Sequence, residues 1–111
     1  MDTEKQKMLR GELYQAGDAK LVQERESARK ALFQLEQTFD RDTRKALLTE
    51  LLGSTGKDFL IEAQFRCDYG YNIHLGENFY ANVGCTILDG AEVRFGNSVL
   101  LAPNVGIYTA G

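Results

Sequence analysis

The sequence lacks the features that mark membrane, nucleic-acid or metal chemistry. No apolar run approaches the ~20 residues a membrane helix needs, and Met1-Asp2-Thr3-Glu4-Lys5-Gln6-Lys7 is too polar for a signal peptide. A cytoplasmic protein is therefore expected. There is no basic block: 13 Lys and Arg stand against 16 Asp and Glu, a net charge of -3, so neither nucleic acid nor an anionic membrane is favoured as a partner. Small neutral or cationic ligands stay open. With one histidine and no close cysteine pair, no zinc site is expected.

Two cysteines cannot make a disulfide framework. Cys67 and Cys85 are eighteen residues apart, so in a coil of six-residue repeats they could stack at about 4.8 Å, the spacing of neighbouring strands. The spacing admits a bridge, but two reduced thiols are the expectation for a cytosolic chain. At 111 residues the chain is one domain or less, with a modest core, because such a protein buries only about 60–70% of the surface its unfolded chain exposes.

The first half has helical patterning. Thr3 with Gln6 forms a capping box for a short helix carrying Met8, Leu9 and Leu13, and Ala16-Gly17 ends it before Asp18 caps the next. From Asp18 to about Gln37, Leu21, Ala28, Leu32 and Leu35 recur at helical spacing, while Lys20, Glu24, Arg29 and Lys30 supply a wet side. Asp42 or Thr43 can cap a third helix with Leu47, Leu48, Leu51 and Leu52 on its apolar face, and Gly53 stands at the expected left-handed C-cap. Gly53-Ser54-Thr55-Gly56 then reads as a linker. It is not a phosphate loop, because the positions needing the first glycine and the Ser or Thr after the lysine hold Leu51 and Asp58.

After Phe59 the period changes to six. Leu75, Ala81, Ile87, Val93, Val99 and Val105 form one column; Val83, Phe95, Leu101 and Ile107 form a second, interrupted by Asp89. Each hexapeptide supplies a short strand and a corner, and three close a triangular coil that must stack to bury its core face. Glycines and asparagines such as Gly76, Asn82, Gly90 and Asn104 suit the corners. The expected fold class is mainly β with a helical N-terminal region: residues 1–56 helical, residues 57–111 the first coils of a left-handed parallel β-helix, open at Gly111.

Three separated motifs sharpen this. Met8-Leu9-Arg10-Gly11-Glu12-Leu13-Tyr14 with Asp18, Leu21 and Arg25, then Phe65-Arg66-Cys67-Asp68-Tyr69-Gly70-Tyr71-Asn72-Ile73 and Asn78-Phe79-Tyr80-Ala81-Asn82, then Leu101-Ala102-Pro103-Asn104-Val105, occur in order. Together they resemble the maltose and galactoside O-acetyltransferases, a family of hexapeptide-repeat acyltransferases, and most closely its maltose branch. The resemblance implies transfer of an acetyl group from acetyl-CoA to a sugar hydroxyl such as that of maltose or glucose, without a metal, in a homotrimer with active sites between subunits.

A sugar hydroxyl is a poor nucleophile at neutral pH, so a base must take its proton as it attacks the thioester carbonyl. The resemblance places the family's histidine base directly after the segment matching Ile107-Tyr108-Thr109-Ala110-Gly111, and the coils that hold most of CoA further on. The chain is thus expected to be truncated at its C-terminal end and inactive alone, with no catalytic residue of its own. His74, the one histidine, matches an outward strand residue rather than the base. On the acceptor side, Asp68, Tyr80, Asn82 and Asp89 match positions in or beside the sugar pocket, with Asp18 and Arg25 contributed by the helical region.

Carboxylate and amide groups on short stems can hold sugar hydroxyls by paired hydrogen bonds. Asp89 has a second reading, as a corner carboxylate bonded to backbone N–H groups; Asn82 equally suits a turn, and Tyr80 a packing role at the rim. The chain departs from its relatives in Leu35-Glu36-Gln37-Thr38, where they carry asparagine, and at Gly90, where galactoside-type relatives carry a second aspartate. Two other functions remain open: a non-catalytic β-helix interaction module using its open coil edge, and a sugar-binding remnant.

Overall fold

In the computed structural model, which describes residues 2–109, the Thr3 hydroxyl accepts from the Gln6 N–H and the Gln6 side chain accepts from the Thr3 N–H. This reciprocal box starts α1, Glu4–Leu9. Met1, Ala110 and Gly111, and with them the coil edge expected at Gly111, lie outside the described residues. Asp18 caps α2, Ala19–Glu36, by accepting from the Leu21 N–H. The cap of α3, Arg41–Leu51, is Asp40 rather than Asp42 or Thr43: its carboxylate accepts from the Thr43 N–H at 2.9 Å and the Thr43 hydroxyl at 2.8 Å.

Nor is Gly53 a left-handed cap. The helix ends in extended backbone at Leu52 (φ -79°, ψ 154°). Glycine is needed at 53 for space, since a Cβ there would lie 2.2 Å from the Tyr71 carbonyl oxygen. Ser54, expected in a linker, already pairs with His74 as a first rung of the coil.

Among the described residues the coil has eight short strands: β1 Phe59–Ile61, β2 Arg66–Cys67, β3 Ile73–His74, β4 Phe79–Ala81, β5 Thr86–Leu88, β6 Val93–Arg94, β7 Leu100–Leu101 and β8 Gly106–Tyr108. They form three parallel stacks, β1-β4-β7, β2-β5-β8 and β3-β6, which are called here the first, second and third faces. Phe59 lies opposite Phe79, Arg66 opposite Thr86 and Ile73 opposite Val93, so a full turn takes twenty residues, not eighteen. The six-residue ladder survives because the difference of two is one strand period and returns the side chain to the inner face. Ala81, for example, meets Leu101, and Val99 occupies the next inward position on the same strand face.

The longer turn corrects the cysteine geometry. Cys67 lies opposite Ile87, and the Cys85 carbonyl accepts from the Arg66 N–H at 2.9 Å. The two cysteines therefore sit two positions out of register and both thiols are free. Corners also repeat at twenty: Gln64, Gly84 and Asn104 have φ of 64°, 81° and 60°, and Asn78 and Ser98 have 56° and 58°. Only one of those five left-handed residues is the glycine that such angles favour.

Inward residues Ile61, Phe65, Ile73, Leu75, Phe79, Ala81, Cys85 and Ile87 form the core, and Leu35, Leu48 and Leu52 of the helical region close its base. The Phe79 and Phe95 rings meet with centroids 4.9 Å apart. Arg44 fastens helices to coil, its guanidinium donating to the carbonyls of Leu35, Ile61 and Glu62 at 2.9, 3.1 and 3.4 Å. A second apolar cluster, Met8, Leu21 and Tyr69 with Tyr14 and Tyr71 against it, joins α1 and α2 to the corner after β2. No helix among the described residues is long and apolar enough to cross a membrane.

Candidate functional site

Asp89 follows β5 and is wholly buried, at 0% exposure. One carboxylate oxygen accepts from the N–H groups of Asp68 (3.1 Å) and Tyr69 (2.9 Å), the other from Gly70 (2.7 Å) and Asn72 (3.2 Å). Asn72, also buried, donates its side-chain amide to the Asp89 carbonyl at 2.8 Å. Burial pushes the Asp89 carboxyl up, and the N–H groups of Tyr69, Asn72 and Gly70 pull it back down. With its oxygens turned to the backbone, Asp89 reaches a ligand only through the 68–72 corner that it shapes, which is the second of its two sequence readings.

That corner presents Tyr69 and Tyr71 toward the helical region. The Asp68 carboxylate has no hydrogen-bond or ion-pair partner among the described residues and is half-exposed. Arg25 donates to the Tyr69 hydroxyl at 2.8 Å and to the Ala16 carbonyl at 2.7 Å, so it holds the loop between α1 and α2 against the corner. Tyr71 donates to Glu24 at 2.8 Å, and Glu24 pairs with Lys5 at 3.0 Å; desolvation first, then the Glu24 carboxylate, raise the Tyr71 phenol. Asp18 spends one oxygen on the Leu21 N–H, 3.3 Å away, and is half-buried. Tyr14 faces the same corner: a Cβ at Gly90 would lie 3.7 Å from its hydroxyl and 3.6 Å from that of Thr109.

Tyr80 and Asn82 lie elsewhere. Both project outward on the first face, which carries β4, whereas Asp68 follows β2 of the second face. The Tyr80 hydroxyl donates to Glu62 at 3.0 Å, and its phenol is raised by desolvation and then by that carboxylate. The Asn82 side-chain oxygen accepts from the Val83 N–H at 2.7 Å, a turn contact that leaves its NH2 group without a partner among the described residues. His74 stands on the third face with its Nδ1 2.7 Å from the Ser54 hydroxyl.

The six expected residues thus form two groups. Asp18, Arg25, Asp68 and Asp89 gather at the corner where the helical region meets the coil, and Tyr80 and Asn82 sit on a different face. The first group offers carboxylates and a guanidinium, the second a phenol and an amide, and all of these suit hydroxyl-rich ligands. Glu62 escaped the sequence reading although it belongs with Asn82: its N–H donates to the Ala81 carbonyl at 3.0 Å, one rung below Asn82. A twenty-residue period would have found it; a period of six does not. No group of three or more His, Cys, Asp or Glu among the described residues could hold a metal ion.

Comparison with known proteins bears on this arrangement. Residues 7–56 match the family model for the maltose acetyltransferase hexapeptide capping motif. A protein of Dictyostelium discoideum, named an acetyltransferase by inference, is 44% identical over 108 residues, 97% of this chain and 57% of that protein. A maltose O-acetyltransferase from Clostridium difficile 630 superposes with a TM-score of 0.96 at 48% identity, over 97% of this chain and 59% of that one. A hexapeptide-repeat acetyltransferase from Vibrio cholerae, solved with acetyl coenzyme A, gives a TM-score of 0.86 at 30% identity, over 95% and 57% of the two chains. The chain spans less than two thirds of the length of each.

Proposed function

The chain belongs to the family of hexapeptide-repeat acyltransferases that contains the maltose O-acetyltransferases, and from that premise we propose that it forms the acceptor side of an enzyme transferring acetyl from acetyl-CoA to a sugar hydroxyl. The observation that carries this reading is the likeness to the Clostridium difficile maltose O-acetyltransferase across the helical region and the coil together. Acetyl-CoA as donor is supported by the complex of the Vibrio cholerae relative. On this reading the coil winds left-handed, residues 1–56 are the helical N-terminal region and residues 57–111 the first coils of the β-helix, and the protein works in the cytoplasm.

In the reaction the sugar oxygen bonds to the thioester carbonyl carbon, its proton passes to a base, and the C–S bond breaks to release CoA thiol. Asp68 and the NH2 group of Asn82 orient the sugar hydroxyls, Tyr80 lines the pocket rim, and Asp18 and Arg25 order the loop that borders it. Asp89 keeps Asp68 in place. Because Tyr80 and Asn82 lie on a different face from Asp68, we place the complete acceptor site between two copies, one giving its first face and the other its corner, within a homotrimer.

The base comes from outside these 111 residues. His74 is the sole imidazole, and its Nδ1 is engaged with Ser54. A polypeptide of these residues alone, mixed with acetyl-CoA and maltose, is expected to release thiol only at the background rate. Joining residues 2–109 to the remaining segment of the Clostridium difficile enzyme should give sugar-dependent thiol release. In that chimera Asp68→Asn or Asn82→Ala should lower kcat/KM roughly 10- to 100-fold, the equivalent of one hydrogen bond to a charged or polarised group. A folded chimera with no sugar-dependent turnover would overturn the reading, as would turnover by residues 1–111 alone.

A further inference from the structure

A cleft of about 630 Å³ runs between α2 and the edge of the second face, and none of the six acceptor-site residues lines it. Its coil wall is the left-handed corner column Gln64, Gly84 and Asn104 together with Arg66 and Thr86. Glycine at 84 leaves a notch, filled only by the Asn104 side-chain oxygen 2.3 Å from where a Cβ would stand. Arg29 and Phe33 of α2 form the opposite wall, and Phe33 is 68% exposed.

The arginines single this cleft out. Of the seven arginines, Arg10 and Arg94 pair with carboxylates, Arg25 binds Tyr69 and Ala16, and Arg44 binds three carbonyls. Among the described residues, Arg29, Arg41 and Arg66 have no such partner, and two of those three face the same cleft. Its one carboxylate, Glu36, turns an oxygen to the Gln64 N–H at 2.8 Å and so is already engaged. Two guanidiniums beside a hydroxyl and two carboxamides make a donor-rich lining on a chain of net charge -3. Such forks match carboxylate and phosphate oxygens two at a time.

We propose that this cleft binds a small multivalent oxyanion, a phosphorylated or polycarboxylated molecule, with Arg29 and Arg66 as the anion-holding residues, Gln64, Thr86 and Asn104 as neutral donors, and the Phe33 ring as a platform for an apolar part. The site is separate from acetyl transfer and stands or falls without it. It also differs from the neutral ligand expected at the acceptor corner.

Amide spectra of the 15N-labelled chain, titrated with inorganic phosphate and separately with citrate at constant ionic strength, provide the test. Saturable shifts should cluster at Gln64, Arg66, Thr86 and Asn104 with one or both probes, and which probe saturates identifies phosphate or carboxylate chemistry. Arg29→Gln and Arg66→Gln should each weaken binding about tenfold, the loss of one charge-assisted contact. Arg94→Gln, on the third face, should leave it unchanged. Both arginines in question are exposed, so thermal melting should confirm that the variants remain folded. Unsaturable shifts spread over all basic residues would overturn the proposal, as would equal binding by the folded variants.

Discussion

Asp89→Ala is expected to destabilise the chain by about 4 kcal/mol or more, a large part of the 5–15 kcal/mol that holds a typical domain together. The substitution strands four N–H groups, those of Asp68, Tyr69, Gly70 and Asn72, and a buried donor without a partner costs roughly 1–3 kcal/mol. Water entering the vacated space recovers part of that, which is why the sum is not the full total. Asp89→Asn keeps one oxygen acceptor but aims an NH2 group at the remaining donors, so an intermediate loss of about 2–3 kcal/mol is expected. Urea unfolding followed by far-UV circular dichroism measures both. A midpoint unchanged in Asp89→Ala would mean that the corner is held by something else.

Phe79→Ala should cost about 3–5 kcal/mol, the usual range for deleting a buried ring. The ring is 2% exposed, packs on Phe95 and lies opposite Phe59 in the first face. It spans successive coils, and neighbours pinned by parallel pairing cannot collapse far into the cavity. For a domain of this size each kcal/mol lowers Tm by roughly 4–8 °C, so a fall of more than about 10 °C is expected. Phe79→Leu conserves more volume and should cost about half as much. Melting within a few degrees of the parent would show that the core is looser than its packing implies.

Features governed by local chemistry were legible in the sequence. The Thr3 and Gln6 box and the Asp18 cap appear where the residue types demand them, and the inward columns follow from alternation along strands, apart from Val83, which is exposed. What was not legible depends on the length of the closed turn. A period of six is satisfied by eighteen residues, yet each turn takes twenty, and the sequence conceals this because a shift of two keeps every side chain on its own side. The false stacking of Cys67 on Cys85 and the overlooked Glu62 both come from that ambiguity. The left-handed corners at Gln64 and Ser98 were hidden for a different reason: parallel pairing on both sides imposes the angle, and residue type does not announce it.

The candidate site was legible in composition but not in arrangement. Asp89 stood out as a carboxylate in an apolar column, and only its contacts decided that it serves the backbone. Arg25 was expected near a ligand and instead holds Tyr69 and Ala16. That Asp68 faces a different direction from Tyr80 and Asn82 follows from which strands stack, a long-range property of the fold. This separation is the reason for placing the acceptor site between copies.

Complementation tests that claim most directly. In the chimera, Asp68→Asn and Asn82→Ala are each expected to leave a few per cent of activity, and the two variants can be co-expressed with different tags and purified as mixed oligomers. If one copy gives Asp68 and its neighbour gives Asn82, one of the three sites in every mixed trimer regains both residues, and thiol release should rise to about a third of the parent rate. Activity that stays at the level of the single variants would contradict the shared site and return both residues to one chain.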